Sequence, residues 1–142
     1  MTFFVDTNVI IYAAVPGSAG GACSAVLAAI SRGNAEGRTS AAVLEEVWHL
    51  ELSGKAGEIA GLTEATYELF SPLLSITDDI VAKALASPSY GLGANDRIHV
   101  ATCTDAGIAT MLTADRGFER VTTLTRVDPL DDRELERLIG SR

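Results

Sequence analysis

The feature that most constrains this chain is its alternation of short apolar runs with segments of helical periodicity. Phe3-Phe4-Val5 reads as a buried strand, ended by Asp6-Thr7-Asn8, which caps the next segment. Residues 22–30 carry apolar side chains at helical spacing and close near Gly33. Thr39-Ser40 then precede Val43, Leu44, Val47, Trp48 and Leu50, which recur mostly at three- and four-residue steps until Ser53-Gly54 breaks the helix. A further helix is expected over 57–70, stopping before Pro72, then a strand over 73–76. Thr77 or Asp78 can cap a helix over 80–85 that ends ahead of Pro88, and 87–94 is a turn-rich loop. Asp96 opens a helix over 97–105, ended by Gly107. A strand at 110–113, a turn or short helix at 115–118, a β-branched strand at 121–127 and a charged, fraying helix at 131–139 complete the reading. Strands separated by helices imply right-handed crossovers and a parallel sheet covered on both faces.

Composition bounds the rest. At 142 residues and 14.9 kDa the chain is one domain's worth of protein, and 47% apolar with 21% charged residues is ordinary globular usage. No apolar stretch approaches the roughly 18 residues of a membrane span, and no secretory signal is read at the start. A soluble, cytoplasmic domain is expected. Cys23 and Cys103 lie far apart in no paired spacing, which suits buried, reduced thiols. A net charge of −8 argues against a nucleic-acid coat protein, but not against an enzyme that holds cations with carboxylates. The segment from Arg97 to Arg126 carries four arginines against Asp105, Asp115 and Glu119, so a phosphate-contacting face is best sought there.

In parallel sheets ligands collect at the carboxyl ends of the strands, and there the sequence is informative. Asp6 directly follows the first strand, and Asp115 follows the 110–113 strand after one residue. Asp96 begins a helix after a glycine-rich loop, while Glu45 and Glu46 lie one turn into the helix after Ser40. Each aspartate can instead be a simple helix cap. Glu46 is odder: on a helical wheel it neighbours Val43 and Leu50 at the edge of the apolar stripe, while Glu45 points further outward. Gathered together, these acids would suit Mg²⁺ or Mn²⁺, hard cations that take oxygen ligands, and hence metal-assisted phosphodiester hydrolysis.

Four motifs then occur in order. They are Phe-Val-Asp-Thr-Asn-Val-Ile-Ile-Tyr at 4–12, residues 40–47, Gly-Ala-Asn-Asp-Arg-Ile-His-Val-Ala at 93–101, and Met-Leu-Thr-Ala-Asp-Arg-Gly-Phe at 111–118. In these the chain resembles the PIN domain family over nearly its whole length. The resemblance implies a single PIN-like domain over 1–142, a three-layer α/β/α sandwich with a central, mostly parallel β-sheet. It also implies a Mg²⁺- or Mn²⁺-dependent endoribonuclease, the toxin of a VapBC-type toxin–antitoxin pair. Carried over by motif, Asp6, Glu46, Asp96 and Asp115 match the metal-binding, catalytic acids, with Thr113 as a supporting hydroxyl and Asn8 as a small polar neighbour. Glu45 adjoins the second acid; the wheel and the following Val47 favour Glu46. The implied partners are an RNA substrate, a cognate antitoxin whose tail enters the active-site groove, and a second copy in a homodimer.

Other signals are weaker. His49 and His99 form no zinc-ligand pair; His99, one turn after Asp96, could face the site, but a helix-surface position is the favoured reading. Gly91-Leu92-Gly93 lacks the context of a dinucleotide loop, and neither a serine-hydrolase elbow nor a phosphate-cradling P-loop occurs. Trp48 reads as core or dimer surface. The rival function is a catalytically idle PIN-like module acting through an antitoxin or other partner. A DNA nuclease is a third reading, since the preference for RNA comes from the resemblance alone.

Overall fold

The computed structural model describes residues 1–140, so the expected domain of 1–142 ends two residues outside the described chain. Strand β1 (Thr2–Val5) is the hub of the sheet, with Phe3, Phe4 and Val5 fully buried, as an inner parallel strand requires. Helix α1 (Thr7–Ala14) follows at once, then α2 (Gly20–Ser31), which leads into β2 (Glu36–Arg38). The chain next forms α3 (Ala41–Ser53), α4 (Leu62–Phe70), α5 (Asp78–Ala86) and α6 (Ala94–Ala106). It re-enters the sheet as β3 (Thr110–Leu112), passes through a 3-10 helix (Arg116–Arg120) into β4 (Thr125–Val127), and ends with α7 (Asp132–Ile139). The strand order is β2-β1-β3-β4, every pairing parallel, with helices flanking the sheet in an α/β/α arrangement.

This order has a functional consequence. From β1 the chain crosses first to one side, to β2, and later to the other, to β3. The boundary between β1 and β3 is therefore a topological switch point, where diverging connections leave a crevice beyond the strand ends. Phe4 pairs with Met111 and Val5 with Leu112, so Asp6 and Thr113 emerge side by side into that crevice.

Local chemistry explains most boundaries. Asp6, Ser40, Thr77 and Asp131 each accept backbone N–H bonds as N-caps of α1, α3, α5 and α7. Gly54 and Gly107, both at φ 71°, end α3 and α6 in the left-handed conformation that favours glycine. Leu135 and Leu138 of α7 are buried in the main core, so the charged helix expected to fray is docked by one apolar face.

Several expectations are corrected. Helix α4 begins at Leu62, not 57: Gly57 and Gly61 take positive φ, and Glu51 of α3 caps the turn by accepting from the N–H groups of Gly61 and Thr63, each at 2.8 Å. The 73–76 strand reduces to one bridge, Leu74 opposite Ser40. The 121–127 strand is shortened to β4 because the 3-10 helix runs to Arg120 and hydrogen-bonded turns continue to Leu124. Strand β2 was not foreseen, since Glu36-Gly37-Arg38 has no apolar residue. Glycine fits there because a Cβ at position 37 would lie 2.4 Å from Ile30 Cδ1 and 3.2 Å from Phe3 Cε2. Asp96 lies in the first turn of α6 and Gly93 is the cap, so this carboxylate is free of capping duty.

Candidate functional site

Asp6 is the most enclosed acid of the crevice, only 5% exposed. Its Oδ1 accepts from the Thr7 N–H at 2.8 Å; its Oδ2 accepts from Thr113 Oγ1 at 2.7 Å and Asn8 Nδ2 at 3.3 Å. Thr113 Oγ1 in turn accepts from Asn8 Nδ2 at 3.1 Å and from the Asp115 N–H at 3.0 Å. Asn8 Oδ1 accepts from the Ala114 N–H at 3.0 Å. One hydroxyl and one amide thus lock the end of β1 to the turn after β3. Arg126, almost buried, clamps that turn from below by donating to the carbonyls of Thr113 and Ala114, each at 3.1 Å. Asp115 caps the 3-10 helix through Gly117 N–H at 2.8 Å and is exposed on the crevice wall.

Glu46 comes from α3. It accepts from Thr7 Oγ1 in a short contact, from Asn95 Nδ2 at 2.8 Å and from His99 Nε2 at 3.1 Å. Asp6, Glu46 and His99 can each bring one donor atom within 4.8 Å of the others, a spacing compatible with a shared cation. Asp96, Asp115 and the exposed Glu45 line the same cleft of about 630 Å³, with Tyr12, His49 and Asn95 on its walls. The structure thus brings the four acids singled out by sequence to one cleft, from the ends of β1 and β3 and from α3 and α6.

His99 is corrected from surface residue to core: it is 0% exposed, and its ring tilts by 42° against Phe4 with centroids 5.6 Å apart. Its position one turn after Asp96 was the only available signal. Thr7 and Asn95, each beside a candidate acid in sequence, were missed as partners of Glu46. Trp48 is 55% exposed and lines a groove between α3 and α4, so it is not core. Of the four arginines in the less acidic segment, Arg126 is bound to the 113–114 turn and Arg97 donates to the Ala84 carbonyl at 3.2 Å. Arg116 and Arg120 remain exposed, and among the described residues no arginine lines the cleft.

The electrostatics are those of crowded acids. Burial, then the charges of Asp6, Asp115 and Glu46, push the Asp96 carboxyl up to about 6, against the opposing pull of His99. Burial also raises Asp6, helped by Glu46, though His99, Thr113 and Thr7 offset part of it. For Glu46 burial works upward, but the hydrogen bonds from His99, Thr7 and Asn95 and the charge of His99 outweigh it and leave it below the usual range. Burial likewise opposes charge on His99, yet Glu46, Asp6 and Asp96 hold it above its ordinary value. Cys23 and Cys103 are free and buried; burial pushes the Cys23 thiol up to about 11, and burial, then the charge of Asp6, pushes the Cys103 thiol up to about 12.

The PIN domain family model matches residues 3–124. The chain belongs to the PIN domain family. No curated protein sequence matches it. Among solved structures, this PIN domain is similar to a chain of VapBC2 from Rickettsia felis bound to a DNA fragment from their promoter. The identity is 17%, coverage is 90% of this chain and 98% of that one, and the TM-score is 0.66. It is also similar to FitAB bound to an IR36 DNA fragment, at 20% identity, 89% and 94% coverage and TM-score 0.63. FitAcB from Neisseria gonorrhoeae matches at 19% identity, 89% and 97% coverage and TM-score 0.62. At these identities the likeness establishes the fold.

The network around Thr113 makes a direct prediction. Thr113→Val keeps the shape but removes the hydroxyl, leaving the Asp115 N–H without its partner and Asp6 Oδ2 with only the longer Asn8 contact. A lost hydrogen bond to a charged group costs about 1.5–3 kcal/mol. Chemical denaturation of the variant should show a loss in that range, and an unchanged midpoint would remove Thr113 from its supporting role.

Proposed function

We propose that this PIN domain is a Mg²⁺- or Mn²⁺-dependent endoribonuclease, the toxin of a toxin–antitoxin pair, with Asp6, Glu46, Asp96 and Asp115 as its metal-binding acids. Four carboxylates from four separate elements around one cleft at the switch point are the observation that carries this reading. The donor set fits a hard divalent cation, which takes carboxylate oxygens. The raised Asp96 carboxyl fits as well, since crowded anions gain from a positive partner. When bound, such a cation supplies Lewis-acid charge that activates water and offsets negative charge on the phosphate in the transition state. The chain's own residues do the positioning. Thr113 and Asn8 hold Asp6, Asp115 is fixed by its cap, and Asp96 stands free in the first turn of α6. Preference for RNA and a homodimeric, cytoplasmic single domain follow from the family resemblance. An antitoxin partner is supported further by the VapBC2 and FitAB assemblies that share the fold. No helix among the described residues is long and apolar enough to cross a membrane.

The test is RNA cleavage by the purified protein with Mn²⁺, with EDTA, and by Asp6→Asn. Cleavage that needs both metal and Asp6 is expected; a folded, Mn²⁺-loaded protein that cuts no RNA would point instead to a binding module. Melting gives a second readout. Mn²⁺ at about 100 times its Kd adds about 2.7 kcal/mol, or about 5–10 °C for a chain of this size. That shift should shrink between pH 7 and 5.5, because protons then compete for Asp96, whose carboxyl sits at about 6. An equal shift at both pH values would contradict the assignment of Asp96 as a ligand.

A further inference from the structure

His99 lies beside the acids yet carries nitrogen, and two roles are open to it: ligand to the cation, or donor to Glu46. Its surroundings decide. Nε2 is 3.1 Å from Glu46 Oε1 and 3.8 Å from Asp6 Oδ1, while Nδ1 is buried with no hydrogen-bond partner. A histidine that ligates a metal almost always donates its second ring N–H to an acceptor. With Nε2 on a metal, the ring proton of His99 would sit on Nδ1, a buried donor facing no acceptor. With a proton on Nε2 the ring instead donates to Glu46 across 3.1 Å, and that contact is made whether or not Nδ1 is protonated as well.

The count of lone pairs at Glu46 leads to the same place. An ionised carboxylate has about four acceptor sites. Oε1 accepts from Thr7 Oγ1 and His99 Nε2, and Oε2 accepts from Asn95 Nδ2, which leaves one site, on Oε2. We propose that His99 is a positioning residue: with Thr7 and Asn95 it pins Glu46, so that this carboxylate offers a cation a single oxygen, Oε2. The inference rests on the metal-binding reading above, but the hydrogen bond at its centre exists without metal and can be measured without it.

In the metal-free protein labelled with ¹⁵N at histidine, NMR should show a His99 Nε2–H resonance protected from solvent exchange and shifted in Glu46→Gln. Mn²⁺ affinity, read by electron paramagnetic resonance, should fall by about 10–100-fold in His99→Leu, the range for partners that orient metal ligands, and stay within about threefold in His99→Gln, which keeps a donor. Pulsed spectra of the Mn²⁺-loaded parent should carry no nitrogen coupling from His99. Circular dichroism establishes that each variant is folded. A nitrogen coupling that vanishes in His99→Leu would make His99 a ligand and overturn the proposal, as would parental Mn²⁺ affinity in His99→Leu or a missing Nε2–H. A folded parent that binds no Mn²⁺ would instead overturn the metal-binding reading, and the NMR experiment would still decide whether His99 holds Glu46.

Discussion

Asp96→Asn is expected to lower metal-dependent RNA cleavage by about 100-fold or more while raising the melting temperature of the metal-free protein at pH 7. A bound cation supplies several kcal/mol of transition-state stabilisation, and each 1.36 kcal/mol is tenfold in rate, so on the proposed assignment of Asp96 as a ligand its loss should cost about two decades. The gain in stability has a separate origin. Burial and neighbouring acids push the Asp96 carboxyl up to about 6, well above an ordinary aspartate, so the folded chain binds its proton more tightly than the unfolded chain. That stabilisation is complete below about pH 4 and is lost as pH rises through 6, leaving a strained carboxylate at neutral pH. Asparagine removes the charge, so the two proteins should differ most near pH 7 and converge only below about pH 4. Asp6 is raised in the same direction, but both its oxygens accept hydrogen bonds that an amide cannot all keep, so Asp6→Asn should match Asp96→Asn in lost cleavage and not in stability. Parental cleavage rates in both folded variants would end the nuclease proposal; a lower melting temperature for Asp96→Asn at pH 7 would end the account of strain.

Phe118→Ala should be the most destabilising single truncation near the site. Phe118 is fully buried in the main core and lies three residues after Asp115, within the 3-10 helix that Asp115 caps. Deleting a buried phenylalanine side chain costs about 3–5 kcal/mol, a large share of the roughly 5–15 kcal/mol that typically separates folded from unfolded domains. At about 2–4 °C per kcal/mol the melting temperature should fall by about 10 °C. Urea denaturation followed by circular dichroism measures this directly, and a loss under about 1 kcal/mol would mean that the core closes without this ring. Activity should fall with it, because the ring anchors the turn that carries Asp115.

The division between what is legible in the sequence and what is not follows the range of the forces involved. Asp6 and Thr77 can be read as caps because an N-cap acts on N–H groups one to three residues away. Gly54 and Gly107 can be read as stops because a left-handed terminus selects glycine whatever surrounds it. The buried strand Phe3-Phe4-Val5 and the period of α3 declare themselves in the same local way. The positions of the four acids relative to these elements come from the same grammar.

The sequence alone therefore determined the α/β class, the family motifs and the acids at strand ends and helix starts, since each is written in neighbouring residues. Tertiary structure alone decided the rest. It made Glu36-Gly37-Arg38 a strand, because Gly37 leaves room for Ile30 against Phe3. It cut the 73–76 strand to one bridge, where only Ser40 lies opposite Leu74. It turned His99 inward onto Phe4 and gave Glu46 three donors from α1 and α6. Each of these outcomes depends on which atoms arrive from distant segments, and on the need to satisfy or bury them there, which no local period encodes.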